Sequence, residues 1–361
     1  MRLIKSFRVT VGLACPLWFV AGVCGAQTGV QSEGRLEPRT ALGGPVLEFA
    51  FDSLRIGTAE YEEGPTGVTV LYFPSRAVAV VDVRGGSPGT TGTDALRLGY
   101  DTPSVDAITL AGGSAYGLEA ADGVRAELLA TGKRDASRWN IASVPGAIIY
   151  DFGARTNSVY ADKELGRAAL HAAVTGRFPL GARGAGRSAS VGKYFGYSYG
   201  EPAGQGAAFR QEGPTKIAVF TVVNAVGVVV DRQGRVLRGN RDPNSGIRSS
   251  IIDDLKSGLG DKKRELDQKR AGHQQPTHAA ANTTVTVVVT NQKLKFWELQ
   301  RLAVQVHTSM ARAIQPFQTM RDGDVLFAVT TAEVDNASLN AADVTTLAGE
   351  LAWDAVLTSV R

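Results

Sequence analysis

The run Ala281-Asn282-Thr283-Thr284-Val285-Thr286-Val287-Val288-Val289 constrains this chain more than any other segment. From Thr283 onward its residues are β-branched, and such side chains favour extended backbone. The stretch before it is polar, glycine-bearing and charged, so an exposed arm leads into a rigid strand without a turn. The first strand residue carries a hydroxyl. A threonine so placed can attack the carbonyl that precedes it, converting the Asn282–Thr283 amide to an ester that water then opens. The new chain would begin with a threonine holding both a hydroxyl and a free α-amine. With a reference pKa of about 8, an appreciable fraction of that amine is an uncharged base near neutral pH. An ordinary strand after a loop has the same residues, so the run alone leaves both readings open.

Residues 1–26 read as a removable export signal. Arg2, Lys5 and Arg8 form a basic start, Val9 to Val23 is apolar, and Cys24-Gly25-Ala26 offers small residues for cleavage before Gln27. The apolar stretch is short for a membrane span, and Val23 sits where a lipoprotein signal wants a small residue. The expectation is export, to a periplasm or beyond, with no membrane attachment after removal. Both cysteines, Cys15 and Cys24, lie in this leader, so the processed chain has no thiolate chemistry, thiolate metal site or disulfide. Three of the basic residues also lie there, which takes the net charge of +4 down to about +1. The basic balance is therefore no argument for nucleic acid.

Strand-like runs occur at 68–73, 78–83, 148–152, 217–223 and 226–230. Ser114 stands where it would cap a helix with apolar residues from Leu118 to Leu129 at spacings of three and four. A second helical pattern covers 162–174. Beyond Thr283 the order is strand 285–290, helix 297–314, strand 325–330 and helix 343–358. Strands interleaved with helices predict a layered α/β architecture. Residues 253–281 stand apart as a charged arm, nearly free of large apolar side chains, that cannot offset its own ordering entropy. Gly186 to Lys193 is not a phosphate loop, because five residues separate its glycines and Tyr194 replaces the magnesium-ligating hydroxyl. Gly113 to Gly117 is not a nucleophile elbow, its second glycine falling one residue late. His171, His273, His278 and His307 lack metal-ligand spacing. A serine triad would need His171 or His307, and both read as helix-surface residues. No metal or cofactor is implied.

Several segments taken together resemble one family, the DmpA-type N-terminal-nucleophile amidohydrolases. It includes L-aminopeptidase/D-Ala-esterase-amidases, β-peptidyl aminopeptidases and the endo-acting 6-aminohexanoate (nylon) oligomer hydrolases. The matching stretches are 67–70, 83–89, 110–124, 144–151, 223–225, 282–285, 312–316 and 322–327, in the family's order over nearly the whole processed chain. The resemblance implies a four-layer α/β/β/α sandwich, self-cleaved into a large chain of residues 27–282 and a small chain of residues 283–361, with a homo-oligomer, a tetramer, as its assembly. It assigns the nucleophile to Thr283, an oxyanion-donating amide to Asn224, and polar roles in the pocket to Lys193 and Tyr150. Asp322 and Asp324, two residues apart on a strand entry, would hold the Thr283 ammonium and hydroxyl; without the resemblance they read as a β-turn. Gly112, Gly113 and Ser114 either bring N–H groups to the substrate or simply permit a tight turn.

A threonine nucleophile with two aspartates in the Asp-Gly-Asp run looks more like the oligoamide hydrolases than the serine aminopeptidases. The reading is amide hydrolysis through an acyl-enzyme on Thr283, endo-acting on 6-aminohexanoate or similar oligoamides. The rivals are an exo-aminopeptidase for β- or D-aminoacyl amides and an exported binding protein that never cleaves. General-base duty falls either to Lys193 or to the free α-amine of Thr283.

Overall fold

The computed structural model describes residues 36–97, 104–257 and 282–361. The leader, 1–26, and the part of the charged arm from 258 to 281 lie outside the described residues. The start of the arm is helical. The Ser250 hydroxyl caps Ile251–Lys256 by accepting the Asp253 N–H, and Asp254 accepts bonds from Asn240 and Ser249.

The main elements are β1 (Arg55–Tyr61), β2 (Thr66–Val83), β3 (Ser104–Ala111), α1 (Glu119–Ala130), α2 (Lys163–His171), β4 (Gln205–Glu212), β5 (Thr215–Asn224), α3 (Ile251–Lys256), β6 (Thr283–Gln292), α4 (Phe296–Ser309), β7 (Val325–Val334) and α5 (Ala341–Thr358). β4, β5, β6, β7 and the second half of β2 lie side by side in that order. The first half of β2 continues between β1 and β3. β6 is antiparallel to β5 and parallel to β7. The two apolar runs at 68–73 and 78–83 are thus one strand, bent where Arg76 takes φ +60°. Its register against β3 shifts between Tyr72 and Ala77.

Alternation along the strands builds the layers. Val285, Val287 and Val289 of β6, Phe220 and Val222 of β5, and Phe327 of β7 meet Leu71, Phe73, Ile108 and Leu110 in one apolar layer between the two halves of the sheet. The opposite faces, Val219, Val288, Leu326 and Ala328, pack on Leu299, Leu302 and Val306 of α4 and on Val344, Ala348 and Ala352 of α5. α2 covers the outer face of β1 and β2, and α1 packs beside it. The contact is close at Gly57, where a Cβ would stand 1.8 Å from the Ala169 carbonyl oxygen. The result is an α/β sandwich with helices on both outer faces.

Several boundaries differ from the sequence reading. Ser114 does not cap a helix; it sits at φ +54° in a 3-10 turn, Ser114–Leu118, and α1 starts only at Glu119. The helix expected over 162–174 ends at His171, because Val174–Thr175 pairs with β1. The one expected over 297–314 ends at Ser309, and Ile314 joins a small sheet with Val229. The 148–152 strand is Gly146–Ile148, with a 3-10 turn following from Phe152. His307 is buried rather than on the surface, its Nδ1 2.8 Å from Asp82. Burial there lowers its pKa, while the Asp82 carboxylate opposes the shift.

The Gly57 contact yields a prediction. Gly57→Ala forces α2 off β1 and costs about 1–3 kcal/mol, the usual penalty of overpacking. Urea unfolding checks it: the midpoint should fall at unchanged slope.

Candidate active site

Thr283 opens β6, and its register partner on β5 is Asn224. Directly opposed residues of an antiparallel pair present side chains on one face. Both follow the parity of Val285 and Val222, so their side chains stand at the mouth of the apolar layer between the sheets. In the continuous chain the Thr283 hydroxyl donates to the Asn282 carbonyl oxygen at 2.6 Å. The hydroxyl is thus held against the carbonyl group whose carbon it would attack. Asn282 and Thr283 are both buried.

Asn224 gathers the next ring of contacts. Its Oδ1 accepts from Lys193 Nζ at 2.8 Å and from the Ser190 N–H at 3.0 Å. Its Nδ2 donates to the Tyr150 carbonyl at 2.9 Å. Lys193 Nζ also reaches the Asn224 carbonyl at 3.3 Å and lies 5.8 Å from the Tyr197 ring centre. Burial lowers the Lys193 pKa to about 7, and the negative charges of Asp322 and Asp151 only partly oppose it. A lysine so placed is largely an uncharged amine just above neutrality, able to take a proton.

The Asp322-Gly323-Asp324 segment closes the other side. Asp322 accepts from the Val226 N–H at 3.0 Å and from both the N–H and hydroxyl of Thr319. Asp324 accepts from the Thr284 N–H at 2.6 Å and the Gln318 N–H at 3.0 Å. Burial raises the pKa of both, and the charge of Asp322 raises Asp324 further. Asn282 bridges to Asp322 like a short parallel strand: its N–H donates to the Arg321 carbonyl, and its carbonyl accepts the Gly323 N–H at 2.5 Å.

The structure therefore brings Thr283, Asn282, Asn224, Lys193, Asp322 and Asp324 together, with three changes of role. Both aspartates bond chiefly to main-chain N–H groups, and the Thr283 hydroxyl points to Asn282 instead. Tyr150 contributes its main-chain carbonyl, while its ring packs edge-on against Phe152. The N–H groups of Gly112, Gly113 and Ser114 are all engaged, by the Gly67 carbonyl, Asp151 Oδ1 and the Ile149 carbonyl. Gly113 is at φ +89°, at the entry to the Ser114–Leu118 turn, and the loop braces the Tyr150–Asp151 segment.

Two groups that the structure places beside these residues escaped the sequence reading. Asp151 is buried and bonds Thr66, Gly113 and Arg155; its place beside Tyr150 in the 144–151 motif was the available signal. The Gly323 N–H had none, since it depends on how two distant segments meet.

Residues 52–360 match peptidase family S58. A 6-aminohexanoate-oligomer endohydrolase of Paenarthrobacter ureafaciens is 45% identical over 332 residues, covering 89% of this chain and 88% of that protein. One from Agromyces sp. (strain KY5R) is 44% identical over the same shares of the two chains. The L-aminopeptidase D-Ala-esterase/amidase of Ochrobactrum anthropi, described as a variant of the Ntn hydrolase fold, superposes with a TM-score of 0.57 at 16% identity. That match covers 89% of this chain and 88% of the other.

Removing the Asn224 amide unties Lys193, Ser190 and Tyr150 at once. Asn224→Ala should fold yet lose about 10²-fold in turnover, the scale of an ångström-sized misplacement. Circular dichroism with steady-state kinetics checks it; an unchanged kcat removes Asn224 from the site.

Proposed function

The chain belongs to peptidase family S58 and is an amide hydrolase, and from that premise we propose that it matures by cutting its own Asn282–Thr283 bond and then uses Thr283 as nucleophile. The observation that carries this reading is the Thr283 hydroxyl bonded to the Asn282 carbonyl, with a buried, pKa-lowered lysine held by Asn224, the cross-strand partner of Thr283. In maturation the α-nitrogen of Thr283 is still an amide and cannot act as a base. Lys193 is then the group that takes the hydroxyl proton. It returns a proton to the departing α-nitrogen, and water hydrolyses the ester. In turnover the freed amine is a second candidate for the same duty.

The substrate we assign is a linear 6-aminohexanoate oligomer or a similar oligoamide, cut at internal bonds. Support comes from the relatives' substrate and from the carboxylates of the site. An exo-aminopeptidase needs a carboxylate for the substrate's ammonium, yet Asp151, Asp322 and Asp324 are each engaged by two or more donors. The proposal includes export on the leader of residues 1–26 and assembly as a homo-oligomer.

Intact mass tests maturation: two chains meeting at Asn282/Thr283 are expected, and a single uncut, inactive chain for Thr283→Ala. A cut elsewhere, or none in active protein, overturns the reading. The pH dependence follows from Lys193. Its pKa is lowered to about 7, so it is an ammonium below and an amine above, and only the amine accepts a proton. The maturation rate of purified precursor should rise from about pH 6 to about pH 8 and then level, and Lys193→Met should mature at most very slowly. A flat profile would leave Lys193 a structural cation. On a linear hexamer, early products should include dimers and trimers. Monomer released stepwise from the amino end, with blocked substrates inert, would hand the activity to the exo-aminopeptidase.

A further inference from the structure

We propose that the main-chain N–H of Gly323 is the oxyanion donor for both the maturation cut and substrate turnover. The proposal rests on Thr283 as nucleophile and adds a catalytic group that neither the sequence nor the family resemblance assigns.

Negative charge in acyl transfer develops on the oxygen of the attacked carbonyl. In this chain that oxygen belongs to Asn282, which accepts from the Thr283 hydroxyl at 2.6 Å and the Gly323 N–H at 2.5 Å. The hydroxyl gives up its proton in the attack. The Gly323 N–H keeps its own and is the donor that remains. The side-chain amide of Asn224, the expected oxyanion donor, is already committed to the Tyr150 carbonyl; it positions Lys193.

The donor is fixed before the reaction begins, which gives such a group its catalytic value. Asp322 N–H bonds Thr319, the Ser87 N–H bonds the Asp322 carbonyl, and the Arg84 and Gly85 N–H groups both bond the Asp324 carbonyl. A Cβ on residue 323 would stand 2.5 Å from the Ser87 carbonyl oxygen and 2.7 Å from Thr283 Oγ1. Only glycine lets the main chain come this near the nucleophile.

The two reactions share this donor because they share a linkage. Attack by Oγ1 forms a C–O bond and moves the carbonyl π pair onto oxygen, where Gly323 N–H meets it. Collapse restores the carbonyl and breaks C–N, whose electron pair leaves on nitrogen with the proton that the base took from the hydroxyl. The product is an ester on Thr283 Oγ1, whether its acyl group is Asn282 or a substrate residue. Water then adds to the same carbonyl, the same oxyanion forms, and the acid departs as the hydroxyl is reprotonated.

The test replaces the Gly323 peptide N–H by an ester oxygen, with glycolate introduced at this position of the full chain by codon suppression. No Cβ is added and one donor is lost. Maturation, and kcat of the matured fraction on a linear oligoamide, should both fall about 10²–10³-fold, with KM little changed. Wild-type rates in both would overturn the proposal. Should the replaced chain not fold, infrared spectra of the wild-type acyl-enzyme with a ¹³C-labelled substrate carbonyl decide. A band at lower frequency than that of the denatured acyl-enzyme is expected, and an unshifted band overturns the donor. Peptide mapping of the trapped adduct separates the two readings. An acyl group found away from Thr283 sinks the nucleophile itself, whereas an adduct on Thr283 with no effect at Gly323 sinks only this inference.

Discussion

The register of β6 between β5 and β7 is the constraint on which the site depends. Thr283 opposes Asn224 across the antiparallel pair, and Val285 opposes Val325 across the parallel one. Side chains alternate with a period of two, so a slip by one residue would turn Thr283 away from Asn224 and put Val285, Val287 and Val289 among the helices. Apolar side chains on both faces of β6 hold that register, because neither face can be exposed without losing a core layer.

The second dependence is electrostatic. Lys193, Asp151, Asp322 and Asp324 are all buried, and isolated buried charges are strongly unfavourable. The fold answers with donors from the main chain and with Arg155, which lies 2.8 Å from Asp151. The compensation for Lys193 is incomplete: burial still outweighs the nearby carboxylates, and its pKa drops to about 7. What is a cost to stability is useful chemically, since a fully charged lysine would have no lone pair to offer.

The site of the continuous chain is occupied by the chain itself. Asn282 takes the Arg321 carbonyl and the Gly323 N–H as a neighbouring strand would. In the proposed maturation, departure of Asn282 would vacate this cradle and open the buried Thr283 to a substrate. It also fits the close apposition of residues 84–87 with 322–324, which positions the cradle whatever occupies it.

The sequence by itself determined the strand at Thr283, the helices after it and the layered α/β class. These rest on local periodicity and β-branching, which need no partner to be read. Family resemblance named the side chains that meet at the site, but not how they meet. β1, β3 and β4 were missed: Arg55–Tyr61 and Ser104–Ala111 are buried along nearly their whole length, so the alternation that marks a half-exposed strand is absent. The continuity of β2 through Pro74 and Arg76 was hidden because turn-like residues there make a bend within a strand. Only the tertiary structure decided that Asn224 ties down Lys193, that Gly112 to Ser114 brace Asp151, and that Gly323 points its N–H at Asn282. Each of these joins segments tens of residues apart through one or two hydrogen bonds, and no local pattern in a chain encodes the direction in which a distant main-chain N–H will point.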